Sequence, residues 1–130
     1  MVGVTDQIGV IGAGAWGTTL AIHLAHAERP VSLWAHASES AERLAHARTN
    51  ERYLPGTTFP PNLRVVLDDA ELGEPHRLYV LAVPSSHVRA TLERLASRLH
   101  PNAPILTVVK GIEERTHLRM SQVVADELPG

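Results

Sequence analysis

The stretch that decides the fold is Ile8-Gly9-Val10-Ile11-Gly12-Ala13-Gly14-Ala15-Trp16-Gly17, where an apolar run leads directly into glycines spaced G-x-G-x-x-G. Helical spacing of apolar residues begins immediately afterwards. In such a strand, loop and helix, Gly12 makes a tight turn, Gly14 lets the backbone approach a pyrophosphate, and Gly17 allows close contact between helix and strand. The helix dipole then stabilises phosphate charge. This context predicts a dinucleotide site, and the alternative is a glycine-rich turn without a ligand.

Short apolar runs alternate with segments of helical spacing along the rest of the chain. The predicted strands span residues 8–11, 31–34, 63–67, 78–83 and 105–109, and the predicted helices span residues 16–29, 38–50, 87–99 and 116–128. Runs that are apolar at nearly successive positions are typical of strands covered on both faces. The pattern therefore predicts an α/β fold of the Rossmann type, a doubly wound, mainly parallel sheet with helices on both faces.

Local signals refine these boundaries. Ser38 is predicted as the N-cap of the second helix, and Thr116 as the N-cap of the last. The proline-containing sequences Leu54-Pro55-Gly56 and Phe59-Pro60-Pro61 are incompatible with a helix interior or a central strand. We therefore expect residues 51–62 to form an ordered loop over one edge of the sheet.

The composition of the 130 residues argues against several classes of protein. Lys and Arg number 12 against 14 Asp and Glu, and a net charge of −2 argues against nucleic-acid binding. The absence of cysteine excludes disulfides and thiolate metal sites. No apolar run reaches the roughly 18 residues of a membrane span, and residues 1–7 lack the basic region of a signal peptide. We expect one cytoplasmic domain without a membrane span.

The end of the second predicted strand bears on the choice between NAD and NADP. An acidic residue about 20 positions beyond the glycine loop would bind the ribose 2′-hydroxyl and repel a 2′-phosphate. The strand ends Leu33-Trp34-Ala35-His36, and the first acidic residue is Glu39. Because histidine hydrogen-bonds phosphate and becomes cationic beside it, His36 favours NADP over NAD. The alternative is an exposed loop histidine.

Lys110 is the only lysine in the chain and follows the last predicted strand, in Val108-Val109-Lys110-Gly111. This is the edge at which open α/β sheets bind ligands, and Gly111 permits a sharp turn there. We expect the Lys110 ammonium to project over the crevice and to contact a ligand. A solvated surface charge is the alternative.

Three further features have two interpretations each. Trp16 packs either beside the cofactor or into the core at the start of the helix. Ser85-Ser86 either caps the helix from His87 or contacts a ligand. His23 and His26 share a helix face suited to a metal, but no third ligand is evident, so no metal site is expected.

Five motifs follow one another along the chain. They are Ile11-Gly12-Ala13-Gly14-Ala15-Trp16-Gly17-Thr18-Thr19-Leu20-Ala21, Leu33-Trp34-Ala35-His36, Asn50 with Tyr53-Leu54-Pro55-Gly56, Ala82-Val83-Pro84-Ser85, and Lys110-Gly111-Ile112-Glu113. Together they resemble the amino-terminal half of bacterial NAD(P)-dependent glycerol-3-phosphate dehydrogenases. The resemblance spans nearly all 130 residues.

The resemblance implies reversible reduction of dihydroxyacetone phosphate to sn-glycerol 3-phosphate with NAD(P)H, which feeds phospholipid synthesis. It implies that Ala15, Trp16 and His36 line the cofactor site and that Lys110 contacts both cofactor and substrate. It also implies a second, helical domain that supplies the proton-transfer lysine and most substrate contacts. Residues 1–130 are thus interpreted as the NAD(P)-binding Rossmann domain alone, expected to bind cofactor without dehydrogenase activity. A homodimer is the protein partner considered.

Two other interpretations stay open. One is a stand-alone NAD(P)-binding or redox-sensing module, and the other is the cofactor domain of a different hydroxy-acid dehydrogenase. Leu54-Pro55-Gly56 and Lys110-Gly111 argue against the second. Surface that packs on a helical domain is expected to be apolar and exposed here, and to promote self-association.

Overall fold

The computed structural model describes residues 6–128 of the chain. The strands are β1 (Ile8–Ile11), β2 (Val31–Trp34), β3 (Thr49–Asn50), β4 (Leu54–Thr58), β5 (Leu63–Val65), β6 (Leu78–Leu81) and β7 (Ile105–Thr107). The helices are α1 (Ala15–His26), α2 (Ser38–Ala47), α3 (Val88–Leu95) and α4 (Met120–Glu127), with 3₁₀ turns at Asp69–Gly73 and Ser85–His87. No helix in this described part is long and apolar enough to cross a membrane.

Five parallel strands form the main sheet in the order β5-β2-β1-β6-β7. In the middle of the sheet, Ile8 of β1 pairs with Val31 of β2 on one side and with Leu78 of β6 on the other. The chain builds outward from this centre in one direction and then crosses to the other side, which is the doubly wound arrangement. The carboxyl ends of the strands therefore share one edge. The predicted α/β, Rossmann-type fold is confirmed.

Helices cover both faces of the sheet because successive strand side chains point to opposite faces. Ile8 and Val10 of β1 belong to one buried cluster with residues of α1 and α2, whereas Ile11 belongs to a second with residues of α3 and α4. Strands β1 and β2 are buried along their whole length. This double cover accounts for their continuous apolar sequences.

The edge strand β7 is less enclosed than its apolar sequence predicts. Ile105 and Thr107 are half-buried, and Leu106 is 53% exposed. The predicted strands ending at residues 67, 83 and 109 are also too long, since each ends two residues earlier. Val66 and Val83 are nevertheless buried. An apolar run therefore continues into the buried loop beyond the last ladder pair.

The expected loop at residues 51–62 contains a short strand. Leu54–Thr58 pairs antiparallel with Thr49–Asn50 in a separate two-stranded sheet. The predicted helix over residues 38–50 ends at Ala47 because Arg48 adopts a left-handed conformation with φ of 59°. Pro55 is tolerated because this small sheet has no central strand.

The predicted helix caps are wrong. Helix α2 has Ala37 as its N-cap, with no side-chain cap, and Ser38 is its first helical residue. Helix α4 begins at Met120, whereas Thr116 donates its hydroxyl to Glu113 in the preceding turn. A serine or threonine caps only when its own backbone is extended at the helix start, and here that conformation belongs to Ala37 and Arg119.

Candidate cofactor site

The glycine loop packs tightly against the end of β6. Gly12 has a φ of 121°, which side chains rarely adopt, and a Cβ there would lie 2.8 Å from the carbonyl carbon of Ala82. A Cβ on Gly17 would lie 1.9 Å from the carbonyl oxygen of Gly12. Contacts within the chain therefore demand glycine at both positions, at the tight turn and at the contact between helix and strand.

Gly14, between these two, faces open space. It is the N-cap of α1, and no atom lies within 4 Å of a Cβ built on it. No side chain caps α1, and its first turn holds no acidic residue. The first N–H groups of α1 thus lack a side-chain acceptor at the positive end of the helix dipole. This arrangement suits a pyrophosphate.

Asn50 holds the glycine loop from the far side. Its side chain is 3% exposed, and its amide nitrogen donates to the Ala13 carbonyl at 2.9 Å and to the Thr18 hydroxyl at 2.8 Å. Because Asn50 lies in β3, the small two-stranded sheet is tied directly to the loop. An amide that bonds both the loop and the helix fixes their relative position.

A cleft of about 340 Å³ opens beside the loop at the carboxyl edge of the sheet. Its walls come from the glycine loop, the end of β2, helix α2, the β3–β4 region and the start of α3. The lining residues are Gly12, Ala13, Gly14, Trp34, Ala35, His36, Ala37, Ser40, Arg43, Leu44, Asn50, Arg52, Tyr53, Ala82, Val83, Pro84, His87 and Thr91. This lining contains two arginines, two histidines and no acidic residue, so the cleft suits an anionic ligand.

The end of β2 is pinned to α3 by a buried tryptophan and an ion pair. Trp34 is 1% exposed and donates its indole N–H to Asp69 at 2.9 Å. Arg94 donates its Nε to the same carboxylate at 2.8 Å and one Nη to the His36 carbonyl at 2.8 Å. Burial raises the pKa of Asp69, but hydrogen bonds from Arg94 and Trp34 outweigh it and lower that pKa on balance. The backbone of His36 is thereby fixed at the wall of the cleft, and its ring lies 6.2 Å from the Trp34 ring in an edge-on arrangement.

Three of the predicted cofactor residues, Gly12, Gly14 and His36, line the cleft, whereas Ala15, Trp16, Gly17 and Lys110 do not. Gly17 acts through packing, and Trp16 is 56% exposed, so its interpretation as a core residue is wrong. The serine-cap interpretation of Ser85-Ser86 is also wrong, because no side chain caps α3.

Lys110 is exposed and lies at the same edge of the sheet, beyond the end of β7. The adjacent Gly111 has a φ of 107°, and a Cβ on it would lie 3.9 Å from the Ser85 hydroxyl. The structure therefore brings the Val83-Pro84-Ser85 and Lys110-Gly111 segments together, as their positions after neighbouring strands predict.

An arginine anchors the segment after Lys110. Arg89 of α3 donates to both carboxylate oxygens of Glu113, at 2.8 and 3.0 Å, and also to Asp126 and Glu127 of α4, each at 2.7 Å. Hydrogen bonds from Arg89 lower the pKa of Glu113 to about 2, and the same carboxylates raise the pKa of Arg89. The sequence did not indicate this cluster, since its members lie on three separate segments.

Sequence reasoning also missed Ser40, Arg43, Arg52 and Thr91 as lining residues. Ser40 and Arg43 could have been found, because positions three apart on the helix after β2 share one face. Within residues 6–128 no group of three or more His, Asp or Glu side chains is placed to hold a metal ion. His23 and His26 are both exposed on α1.

Comparison with known proteins gives consistent matches. A family model described as the N-terminus of NAD-dependent glycerol-3-phosphate dehydrogenase matches residues 7–130. Glycerol-3-phosphate dehydrogenases [NAD(P)+] of Chlorobium limicola and Mycobacterium tuberculosis are 46% and 42% identical to the chain, each over 124 residues. Each match covers 95% of this chain and 37% of the relative. The chain thus spans 37% of the length of these relatives.

Solved structures agree with this placement. The crystal structure of glycerol-3-phosphate dehydrogenase from Coxiella burnetii matches with a TM-score of 0.88 and 30% identity, over 97% of this chain and 38% of that one. The enzyme from Saccharomyces cerevisiae, 24% identical with a TM-score of 0.80, shares the fold over 96% of this chain and 40% of that one. The resemblance carried by the five motifs is therefore confirmed: the chain belongs to the NAD-dependent glycerol-3-phosphate dehydrogenase family and corresponds to its N-terminal, NAD-binding region.

Proposed function

We propose that the chain binds NADP(H) across the carboxyl edge of its sheet and forms the cofactor-binding part of a glycerol-3-phosphate dehydrogenase. The glycine loop carries the proposal, because Gly12 and Gly17 are fully constrained by packing while Gly14 is left open beside the cleft. The cleft volume lies in the range of small-molecule sites. The residues present therefore fit a dinucleotide.

Each predicted residue has a role in this proposal. The open backbone at Gly14 and Ala15 binds the pyrophosphate at the start of α1. Trp16 packs its exposed ring beside the cofactor, and His36 contacts the adenosine ribose and its 2′-phosphate. Lys110 contacts the nicotinamide end and the substrate. The bound cofactor supplies a hydride, and the chain orients it.

The reaction proposed for the whole protein is reversible reduction of dihydroxyacetone phosphate to sn-glycerol 3-phosphate. The relatives are longer than this chain, and we infer that their additional length holds the helical domain with the proton-transfer lysine. Lys110 suits the substrate side because a compact ammonium stabilises both a phosphate and a polarised carbonyl. We further infer a cytoplasmic location, and consider a homodimer as the assembly.

Titration calorimetry with NADPH tests the binding proposal. The chain should bind saturably, and Gly14→Asp should abolish binding because a carboxylate would occupy the pyrophosphate position. Aspartate is a favourable N-cap, so this variant should keep its melting temperature. The matched control Gly14→Ala adds a methyl group without charge and should bind measurably. Absence of binding to the unaltered chain at millimolar NADPH would contradict the proposal.

A second assay tests whether residues beyond this chain are needed for turnover. Residues 1–128 joined to the remaining region of the Chlorobium limicola enzyme should oxidise NADPH with dihydroxyacetone phosphate, whereas the 130-residue chain should not. Turnover by the 130-residue chain alone would refute the inference that further residues are needed for proton transfer.

A further inference from the structure

We propose that Arg43 of α2, together with His36 and Ser40, binds the 2′-phosphate of NADP and determines the choice of cofactor. This inference rests on the proposed function and extends it, because the sequence pointed to His36 alone. Its basis is the charge distribution around the cleft and the position of Arg43 on α2, next to the end of β2.

Arg43 lies on the wall of the cleft that faces the end of β2. His36 comes directly after β2, and Ser40 and Arg43 lie one helical turn apart on the same side of α2. All three line the cleft, with Arg43 exposed. The ribose of a dinucleotide lies at this position in doubly wound folds, beyond the end of the second strand.

Two other arginines lie near the cleft, and neither is placed as Arg43 is. Arg94 donates to Asp69 and to the His36 carbonyl, and its guanidinium lies 5.1 Å from the Trp34 ring. Arg52 lines the cleft from the connection between β3 and β4, where its guanidinium lies 5.2 Å from the Tyr53 ring, and not from α2 beside His36. Among the described residues, Arg43 has no hydrogen bond or ion pair. Its five N–H donors are therefore left for a ligand.

The acidic residues of α2 do not line the cleft. Glu39 and Glu42 are exposed on the same helix as Arg43, and neither contributes to the cleft wall. An NAD-specific site needs a carboxylate for the ribose hydroxyls, and that group is missing from the described lining. The combination of a free guanidinium, an imidazole and a hydroxyl matches a phosphate instead.

The chemistry of the three side chains is complementary. A guanidinium donates two parallel hydrogen bonds to phosphate oxygens, which a histidine cannot do alone. The His36 ring adds one hydrogen-bond donor. The Ser40 hydroxyl adds another donor. Because Arg94 already fixes the His36 backbone, the phosphate position is set before the ligand binds.

Affinities of the 130-residue chain for NADPH and NADH test this assignment. The unaltered chain should prefer NADPH, and Arg43→Ala should weaken NADPH binding about ten- to hundredfold, as for loss of a charged hydrogen-bonding partner. NADH affinity should stay within about twofold. Competition by adenosine 2′,5′-bisphosphate should weaken in the same proportion, whereas competition by adenosine 5′-monophosphate should not, which separates the 2′-phosphate from the nicotinamide end.

Arg77→Ala is the matched control. It removes the same charge from the opposite edge of the sheet, where Arg77 is exposed and lies 3.7 Å from Asp6, and it should leave both affinities unchanged. Equal weakening of NADPH and NADH by Arg43→Ala, or an unchanged ratio, would overturn the assignment. A wild-type chain that prefers NADH would also overturn it. Failure to bind either nucleotide would instead refute the proposed function itself.

Discussion

The glycine loop and the segment that carries Lys110 lie at the same edge of one sheet, but their surroundings differ. Gly12 and Gly17 contact backbone atoms of the chain itself, and Asn50 ties the loop to α1. Lys110 instead projects from an exposed segment after the half-buried strand β7. Packing within the domain explains the first region. The second is anchored through Glu113, and its Lys110 side chain is exposed.

The largest effect should come from adding one methyl group to the enclosed region. Gly17→Ala would place a Cβ 1.9 Å from the Gly12 carbonyl oxygen, which the surrounding backbone cannot relieve locally. We expect a loss of about 3 kcal/mol or more in the free energy of unfolding. Gly14→Ala, whose Cβ meets no atom within 4 Å, should cost about 1 kcal/mol at most. Urea denaturation measures both, and equal losses would refute the contrast.

A smaller, more local effect is expected at the anchor of the Lys110 segment. Arg89→Ala removes the shared partner of three carboxylates, Glu113, Asp126 and Glu127. Residues 108–119 should then exchange their amide hydrogens faster, while β1 and α1 keep their protection. Hydrogen exchange followed by mass spectrometry distinguishes this from global destabilisation. Uniform loss of protection would mean that the anchor stabilises the whole sheet.

The same anchor should respond to acid. The pKa of Glu113 is about 2 in the folded chain, below its ordinary 4.5, because Arg89 donates hydrogen bonds to it. Its contribution to stability is therefore complete above about pH 4.5 and is lost as the pH falls toward 2. Glu113→Gln should flatten this part of the profile of unfolding free energy against pH. An unaltered profile would show that Glu113 does not govern it.

The smallest effect on stability is expected at Lys110 itself. Lys110→Ala should change the free energy of unfolding by less than about 0.5 kcal/mol, because the side chain is exposed. It should nevertheless weaken NADPH binding, and Lys110→Arg should restore it only partly since a guanidinium is bulkier than an ammonium. Calorimetry beside thermal melting separates the two effects. Unchanged affinity would make Lys110 a solvated charge.

Sequence reasoning succeeded where the determining contacts are local. The glycine spacing specifies its own turn and helix packing, so the roles of Gly12, Gly14 and Gly17 followed from ten residues, and the fold followed from the alternation of apolar runs and helical segments along the chain. It failed where partners are far apart in sequence. Asn50 lies in a two-stranded sheet that was not predicted, because Pro55 and Gly56 indicated a loop. Arg94 donates a hydrogen bond to the carbonyl of His36, 58 positions earlier in the chain. Neither contact has a periodic signal in the chain.

Helix boundaries failed for a different reason. Ser38 and Thr116 have the right chemistry for capping, but capping depends on backbone dihedrals that packing decides. The exposed Leu106 in β7 was consistent with the expectation of uncovered apolar surface, although the same strand contradicted the expectation of double cover. Edge and central strands share an apolar sequence here, and composition cannot distinguish them.

The clamp of Trp34, Asp69 and Arg94 has a consequence for protein engineering. It supports the cleft from α3 and the 3₁₀ turn, while the side chains proposed to discriminate between cofactors project from α2 and the residue before it. The residues that support the cleft and the residues proposed to select the cofactor thus lie on separate elements. To redesign the cofactor preference of this domain, positions 36, 40 and 43 can therefore be changed together while Trp34, Asp69 and Arg94 are kept.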